Sequence, residues 1–321
     1  MSFYEGMRVA VIGGAGMIGS HLVELLVEAG ADVLVMDNLS RGRMSNLEGV
    51  LCEFRHTNAV QSHDLYDLVD RDAVFNLAAR VTGMHYNRKH HAEMFYQNLL
   101  LQTVPLSLCA EAGVPLYAQV STVCVYPHNV RFPALESEGH RGDPESTNAG
   151  YGWAKRMGER YAQWVAAERS IKIAITRFSN CFGPRDYFDE ETSHVIPALI
   201  KRTLEDEVVK VYGTGEPIRE FLLAKDAATG LMKVLQHYPE ADPVNIGNPH
   251  NRVSIKELAL LIQDVIGVKK LLTFDTSLPD GYPRRGSNID KLVEKTGWLP
   301  EPNLMAGLKA TVEWYLKHTE A

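Results

Sequence analysis

The chain has 321 residues, of which 45% are hydrophobic and 23% are charged, a composition typical of an ordered globular protein. Its formal net charge of −7 argues against a broad basic surface for nucleic acid, and no apolar run reaches the roughly 18 residues that a membrane-spanning helix needs. The four scattered cysteines form no CxxC pair, and the N-terminus lacks a signal-peptide pattern. We therefore expect a reduced, cytoplasmic protein without a metal site.

The predicted elements alternate between strands and helices from the N-terminus onward. Short runs rich in β-branched residues predict strands, and apolar residues at helical spacing between them predict helices. The strands are expected at 7–12, 33–36, 73–79, 116–121 and 172–178, and the main helices between them near 92–112 and 150–168. This alternation predicts an α/β fold with a doubly wound parallel Rossmann sheet.

A glycine-rich turn follows the first predicted strand. The glycines that satisfy both the GxxGxxG and the GxGxxG spacing are Gly13, Gly14, Gly16 and Gly19. The helix that they open supplies N–H donors for a pyrophosphate. Asp37 ends the second strand, where its carboxylate can bind a ribose 2′-hydroxyl and disfavours a 2′-phosphate. The pattern predicts a dinucleotide cofactor, with NAD preferred to NADP, and we interpret Arg41 and Arg43 as solvated surface residues.

A tyrosine and a lysine share one face of the second long predicted helix. Tyr151 and Lys155 are four residues apart, and an ammonium group beside a phenol lowers the pKa of the phenol. Thr122, at the end of the preceding strand, can hydrogen-bond the same substrate oxygen as the tyrosine. These three residues, which we call the acid–base centre, predict oxidation of an alcohol by a nicotinamide cofactor.

The glycine turn, the run Asn76-Leu-Ala-Ala79 and the acid–base centre together resemble the extended short-chain dehydrogenase/reductases, and the resemblance covers nearly the whole chain. That family acts mainly on nucleotide-activated sugars, so the resemblance implies a nucleoside-diphosphate-sugar substrate. It also implies a homodimer formed through a four-helix bundle. The 4,6-dehydratases of the family carry an Asp-Glu pair where Val123 and Cys124 stand here, which argues against dehydration.

The resemblance also implies which residues bind the cofactor and the substrate. Those implied for the cofactor are Gly13, Gly16, Met17, Ile18, Gly19, Asp37, Asn38, Asn58, Leu77, Ala78, Ala79 and Asn98, together with Tyr151 and Lys155. Those implied for the nucleotide sugar are Gly83, Met84, Asn180, Arg202, Arg219 and one of Arg284 and Arg285, of which we select Arg285. Arginine suits this role because its planar guanidinium can hold two phosphate oxygens.

A cysteine and a histidine narrow the range of reactions that the sequence predicts. Cys124 lies two residues after Thr122, and His194 lies in the motif Ser-His-Val-Ile-Pro. Both positions resemble the GDP-sugar epimerase branch of the family. Oxidation of the sugar at C4 makes C3 and C5 acidic, and inversion then needs one group to remove a proton and another to deliver one to the opposite face. Cysteine and histidine suit this exchange because both titrate within reach of neutral pH.

The sequence therefore predicts an NAD-dependent GDP-hexose epimerase that oxidises C4 transiently and inverts C3, C5 or both. Two alternatives stay open: a GDP-4-keto-6-deoxy-sugar epimerase-reductase that uses NADPH, and a UDP-sugar 4-epimerase. A non-catalytic dinucleotide-binding module is a further alternative, and the intact acid–base centre argues against it.

The regular alternation of predicted strands and helices ends after about residue 180, at a stretch rich in Gly, Pro and Asp. Helices are then predicted near 195–204, 255–266 and 304–316. We expect residues 1–180 plus about 219–247 to form the NAD-binding Rossmann domain. Residues of about 181–218 plus 248–321 would form a smaller, interleaved C-terminal α/β domain that binds the nucleotide sugar.

Overall fold

The computed structural model of the protein describes residues 2–189, 193–277 and 280–319. The helices are α1 (Met17–Glu28), α2 (Met84–Asn87), α3 (His91–Ala112), α4 (Ala149–Glu168), α5 (Val195–Glu205), α6 (Ala224–His237), α7 (Ile255–Ile266), α8 (Asp290–Thr296) and α9 (Leu304–Thr319). The strands are β1 (Arg8–Ile12), β2 (Asp32–Asp37), β3 (Glu53–His56), β4 (Ala73–Asn76), β5 (Leu116–Thr122), β6 (Lys172–Phe178), β7 (Asn180–Phe182), β8 (Val208–Tyr212), β9 (Ile218–Leu223), β10 (Val244–Ile246), β11 (Arg252–Ser254), β12 (Leu271–Asp275) and β13 (Arg284–Arg285).

Within the described residues, the largest sheet has seven parallel strands in the order β10-β6-β5-β4-β1-β2-β3. Side chains of β1 alternate between two buried cores: Val9 and Val11 pack with α1 and α6, whereas Ala10 and Ile12 pack with α3 and α4. The predicted doubly wound α/β fold is confirmed. The strand order reverses between β1 and β4, so a crevice for a ligand is expected at the carboxyl ends of these strands.

Three strands of this sheet differ from the prediction. β4 ends at Asn76 rather than at residue 79, because the Asn76 side chain accepts a hydrogen bond from the N–H of Ala78 at 3.1 Å and turns the chain. β3 and β10 were not predicted. β3 is an edge strand with mostly exposed side chains, and β10 has three residues, so neither produces an apolar run in the sequence.

The smaller sheets surround a third apolar core together with α5, α7 and α9. β9 pairs with β11, β13 and β7, and β8 pairs with β12. The chain then returns to the large sheet, because α6 packs on α1 and β10 pairs with β6. This return resembles the interleaving expected from the sequence, and the exact domain division stays a prediction.

A buried ion pair joins α4 to β6. Arg177 donates from Nε to Oε1 of Glu159 at 2.9 Å and from Nη2 to Oε2 at 2.7 Å, and the two side chains are 1% and 0% exposed. Ser121 Oγ and His140 Nε2 also bond to this carboxylate, at 2.5 and 2.8 Å. Burial raises the pKa of Glu159, but Arg177 and these hydrogen bonds outweigh it and hold the pKa at about 2. The carboxylate therefore stays charged at neutral pH.

We predict that Glu159→Gln lowers the free energy of unfolding by about 3–5 kcal/mol, because it leaves the Arg177 guanidinium buried without a counter-ion. Since the folded pKa of about 2 lies below the ordinary 4.5, this stabilisation is complete above pH 4.5 and is lost as the pH falls towards 2. Urea unfolding of both proteins at neutral and at acidic pH measures the difference, which should shrink in acid.

The control variant is Glu313→Gln, which alters an exposed pair with Lys309 at 3.9 Å and should leave the free energy of unfolding nearly unchanged. Equal destabilisation by both substitutions would contradict the prediction.

Candidate active site

The glycine turn joins β1 to α1 at the carboxyl edge of the sheet. Gly13 has a φ of 79°, and a Cβ there would lie 3.0 Å from the backbone N of Ala78. A Cβ on Gly19 would lie 2.7 Å from the Cα of Gly14, so only glycine permits this approach. Among the described side chains, none caps α1, and its first turn holds no acidic residue. The free N–H groups of that turn therefore fit the pyrophosphate of a dinucleotide.

Asp37 ends β2 beside this turn and is 8% exposed. Its Oδ2 accepts a hydrogen bond from the N–H of Ala15 at 3.0 Å, and its Oδ1 accepts one from the N–H of Leu39 at 2.8 Å. Burial raises the pKa of Asp37, and these two hydrogen bonds oppose the rise. Each carboxylate oxygen retains a lone pair for a further donor, so the residue fits a ribose hydroxyl while it holds the turn in place.

Arg41 is not the solvated residue that the sequence suggested. Its guanidinium donates to the carbonyl of Val81 and lies 4.3 Å from the centre of the Tyr187 ring. Burial lowers the pKa of Arg41, and the carboxylate of Asp186 opposes this. Arg41 follows β2, Val81 follows β4 and Tyr187 follows β7. The Arg41 side chain thus connects the loops after these three strands. Arg43 is exposed, as predicted.

Asn98 holds the segment that follows β4. It is fully buried; its Oδ1 accepts from the N–H of Arg80 at 3.0 Å, and its Nδ2 donates to the carbonyls of Arg80 and Met94 at 3.1 and 2.8 Å. These bonds use the amide for shaping the loop. A direct contact between Asn98 and the cofactor stays a prediction.

The other residues predicted for the cofactor lie along the same edge of the sheet, at the ends of β1 to β4. They are Met17 and Ile18 at the start of α1, Asn38 after β2, Asn58 after β3, and Leu77, Ala78 and Ala79 after β4. Asn58 donates its backbone N–H to Asp64 at 3.2 Å. The parallel arrangement therefore brings these positions to one crevice.

The acid–base centre lies where α4 crosses the end of β5. Lys155 Nζ donates to the carbonyl of Val120 at 2.8 Å and lies 5.7 Å from the centre of the Tyr151 ring. Burial lowers the pKa of Lys155 to about 7. The expected lowering of the Tyr151 pKa is not found: burial raises it, and the neighbouring thiols of Cys124 and Cys181 raise it further. The physical reason is that the desolvation of a buried phenol exceeds the effect of a lysine that bonds elsewhere.

Cys124 lies between the end of β5 and α4. Its backbone N–H donates to Thr122 Oγ1 at 3.2 Å, and its thiol is half-buried. α4 approaches this segment so closely that a Cβ on Gly152 would lie 2.6 Å from the carbonyl oxygen of Cys124, and glycine therefore permits the contact. Gly152 follows Tyr151 directly, so this contact holds the predicted proton-transfer thiol close to the predicted base.

His194 directly precedes α5. Burial, and then the charge of Arg41, lower the pKa of His194 to about 4. The imidazole is therefore neutral at pH 7. The structure places His194 near the Arg41 bridge and Cys124 near Tyr151, and the joint action of the two residues on one sugar stays a prediction.

Two residues predicted to bind the diphosphate meet at β9. Asn180 Nδ2 donates to the carbonyl of Glu220 at 2.9 Å. Arg219 donates to the carbonyls of Tyr282 and Asp280 at 2.6 and 3.0 Å. Burial and the charge of Arg285 lower the pKa of Arg219 to about 10, so it remains a cation at neutral pH.

Arg285 reaches Cys124. Its Nη1 lies 3.8 Å from Cys124 Sγ, its Nη2 lies 3.5 Å from Oε2 of Glu145, and its guanidinium lies 4.3 Å from the centre of the Tyr282 ring. Arg284 is exposed. Of the two arginines that the sequence left open, Arg285 is thus the one that the structure places with Cys124.

The remaining predicted substrate residues lie apart from this group. Arg202 donates from Nη1 to the carbonyl of Lys210 at 2.9 Å, and its guanidinium lies 4.2 Å from the centre of the exposed Tyr212 ring. Gly83 is buried just before α2, and the side chain of Met84 lies outside the described part of the chain.

Sequence reasoning missed Glu159, Glu145 and Tyr282. Glu159 follows Lys155 by four residues, so the helical spacing of Tyr151, Lys155 and Glu159 could have indicated a shared face. Glu145 and Tyr282 lie in loops, outside any periodic segment. No local sequence pattern connects either residue to Cys124.

Across residues 2–189, 193–277 and 280–319, no three His, Cys, Asp or Glu side chains group as a metal site requires. No helix in this part of the chain is long and apolar enough to cross a membrane.

We predict that Arg41→Gln raises the pKa of His194 from about 4 towards the ordinary 6.5, because it removes a neighbouring positive charge. NMR titration of the imidazole Cε1–H measures this pKa. Because the folded pKa lies below the unfolded one, protonation of His194 destabilises the wild type as the pH falls below 6.5, and the variant should lose less stability in acid. Arg43→Gln is the matched control and should leave the titration unchanged. An unchanged His194 pKa in Arg41→Gln would refute the assignment.

Comparison with known proteins shows the family to which the chain belongs. Residues 9–247 match the family described as "NAD dependent epimerase/dehydratase family". GDP-L-fucose synthase of Sinorhizobium fredii is 31% identical over an alignment of 325 positions, which covers 99% of this chain and 98% of the relative. GDP-L-fucose synthase 1 of Arabidopsis thaliana is 33% identical over 98% of this chain and 94% of the relative. The crystal structure of UDP-glucose 4-epimerase from Thermotoga maritima superposes with a TM-score of 0.86 at 28% identity and covers 98% of this chain and all of that one. The chain therefore belongs to the NAD dependent epimerase/dehydratase family, within the extended short-chain dehydrogenase/reductases that its motifs resemble.

Proposed function

We propose that the protein is a nucleoside-diphosphate-sugar epimerase that acts on a GDP-hexose with NAD as its cofactor. The observation that carries this proposal is the position of Cys124, whose thiol lies near the buried phenol of Tyr151. A thiol at this point has no role in simple alcohol oxidation and suits proton transfer at a carbon beside the oxidised C4. The GDP-L-fucose synthase relatives support a GDP-sugar, and the UDP-glucose 4-epimerase likeness supports the broader class of nucleotide sugars.

The crevice between β1 and β4 would hold the dinucleotide, with the pyrophosphate at the N-terminus of α1 and the adenosine ribose at Asp37. The bound cofactor supplies a hydride acceptor, and later a hydride donor, for C4 of the sugar. Asn180 and Arg219 would bind the diphosphate, and Arg202 would help to hold the nucleotide phosphates.

At C4, Tyr151 would accept the hydroxyl proton while Thr122 hydrogen-bonds the same oxygen. Because burial raises the pKa of Tyr151, the phenolate needs positive charge near it. Lys155, with a pKa of about 7, can supply that charge in its protonated form at neutral pH.

At C3 or C5, one residue removes a proton and the other returns one to the opposite face. The pKa of about 4 keeps His194 neutral, so we assign proton removal to His194. Cys124 then donates its thiol proton to the carbanion. The two roles together invert the carbon, and exchange with solvent restores both residues.

One alternative is an epimerase-reductase that acts on a GDP-4-keto-6-deoxy sugar with NADPH. Several GDP-L-fucose synthases among the relatives favour this alternative. It would use the same cysteine and histidine. The buried carboxylate of Asp37 at the ribose position favours NAD instead. A UDP-sugar 4-epimerase is the other alternative and would leave Cys124 without a role.

We predict that the purified protein, incubated with GDP-mannose in D2O without added cofactor, places deuterium at C3 or C5, as NMR would show. Cys124→Ala should slow the appearance of the inverted, deuterated sugar by about 100-fold or more, the range of a lost general acid, because the inverted face receives its deuteron from this residue. Cys52→Ala, another half-buried free cysteine, is the control and should exchange normally. If a folded protein that retains NAD gives no exchange, GDP-mannose is excluded, and 4-keto-6-deoxy sugars with NADPH become the next substrates to test.

The cofactor preference gives a separate prediction. Asp37→Asn keeps a hydrogen-bond acceptor but removes the charge that repels a 2′-phosphate, so the ratio of the NADP Kd to the NAD Kd should fall by about tenfold, or about 1.4 kcal/mol. Calorimetric titration with each cofactor measures both constants. A wild-type protein that already binds NADP more tightly would overturn the assignment of NAD and favour the epimerase-reductase.

The homodimer and the cytoplasmic location stay predictions. α3 and α4 pack against each other and leave Tyr96 and Trp164 each 60% exposed, which is consistent with a further helix pair covering them.

A further inference from the structure

We infer that Arg285, oriented by Glu145, is a positioning residue for Cys124 that stabilises negative charge on its sulfur. This inference rests on the proposed function and assigns to Arg285 a role other than the diphosphate binding that the motif resemblance implies.

The two terminal nitrogens of Arg285 contact two different groups. Nη1 lies 3.8 Å from Cys124 Sγ, within hydrogen-bond distance of a sulfur, and Nη2 lies 3.5 Å from Oε2 of Glu145. The ring of Tyr282 lies against the guanidinium plane, 4.3 Å from its carbon. Because the guanidinium is planar and rigid, the carboxylate on one nitrogen and the ring on the face set the direction of the nitrogen that meets the sulfur.

Both groups that orient Arg285 are themselves held in place. Glu145 is 5% exposed and accepts hydrogen bonds from the N–H of Thr147 and from Nδ2 of Asn148, each at 3.1 Å. Tyr282 donates its hydroxyl proton to the carbonyl of Tyr126 at 3.1 Å. Glu145 thus orients the side chain of Arg285, in the way that a third group orients the base in a catalytic triad.

The charges around Cys124 make Arg285 the cation of this cluster. Burial lowers the pKa of Arg285, but Cys124, Tyr282 and Glu145 outweigh it and raise the pKa overall. The phenols of Tyr151 and Tyr282 also interact with the thiol, and they are neutral at pH 7 because burial raises the pKa of each. Arg219 contributes its charge from a distance, since its own donors are bound to backbone carbonyls.

The proton transfer at the sugar explains what this contact accomplishes. When the thiol of Cys124 protonates the carbanion, a C–H bond forms, the S–H bond breaks, and its electron pair stays on the sulfur. The thiolate then lies beside the guanidinium until it takes a proton from solvent. Arg285 exchanges no proton and lowers the energy of the charged state by a charge-assisted contact.

Alkylation of Cys124 without any sugar tests the inference. The variants are made in a Cys52→Ala background, with the cofactor retained, and iodoacetamide labelling at neutral pH is followed by mass spectrometry of the Cys124 peptide. Thiolate is the reacting form, so Arg285→Gln should slow the labelling by about tenfold, and Glu145→Gln should slow it less. Arg285→Lys should restore part of the rate, because it returns the charge without the fork. A residue that only bound diphosphate would not change a reaction in which no nucleotide is present.

Arg284→Gln, the exposed neighbour, is the matched control and should react at the wild-type rate. Equal labelling of wild type and Arg285→Gln, with unchanged circular dichroism, would overturn the inference. If Arg285→Gln does not fold, Glu145→Gln decides the question in the same assay. Slower labelling in a protein that epimerises no nucleotide sugar would keep the Arg285 assignment and reject the proposed function, so the two failures are distinguishable.

Discussion

The ion pair between Glu159 and Arg177 holds α4 against the sheet, and the position of α4 determines the active site. Glu159 lies on the same helix face as Tyr151 and Lys155, so the pair that anchors the helix also sets the distance from the phenol to β5. The cost of burying two charges is high, and it is offset here because Ser121 and His140 complete the hydrogen bonding of the carboxylate. A helix held in this way cannot slide without leaving a charge unpaired.

Close packing of α4 glycines against neighbouring segments also sets this position. A Cβ at Gly152 would meet the carbonyl of Cys124, and a Cβ at Gly158 would lie 2.8 Å from the Cβ of Gln102 on α3. Small residues on α4 thus allow it to touch both the loop after β5 and α3. The short segment before α4 carries Glu145, so the same packing also places the carboxylate that meets Arg285.

The candidate site has two electrostatic parts. In one part, Arg285 meets Cys124 and can support negative charge on the sulfur. In the other part, burial and then the charge of Arg41 lower the pKa of His194, so the imidazole is neutral at pH 7. A neutral histidine suits proton removal, and a thiol beside a cation suits proton delivery.

Much of this could be predicted from the sequence, for reasons that are local. The glycine turn, Asp37 and the Tyr151/Lys155 pair depend on backbone clearance and on spacing along one strand or one helix. Their positions, and the roles predicted for them, therefore follow from neighbours in the chain. Asn76 ended β4 earlier than its apolar run suggested, because a side chain took the N–H that the longer strand needed.

The sequence by itself determined the doubly wound fold and the positions of the glycine turn and of the predicted acid–base centre, because periodicity and short motifs encode them. Only the tertiary structure decided how their charges are set. Burial raised the pKa of Tyr151 where spacing alone predicted a lower one, Arg41 turned inward to Val81 and Tyr187, and Arg285 met a cysteine 161 positions away in the chain. Desolvation and contacts between distant segments exist only in the folded chain, so no local pattern could predict them.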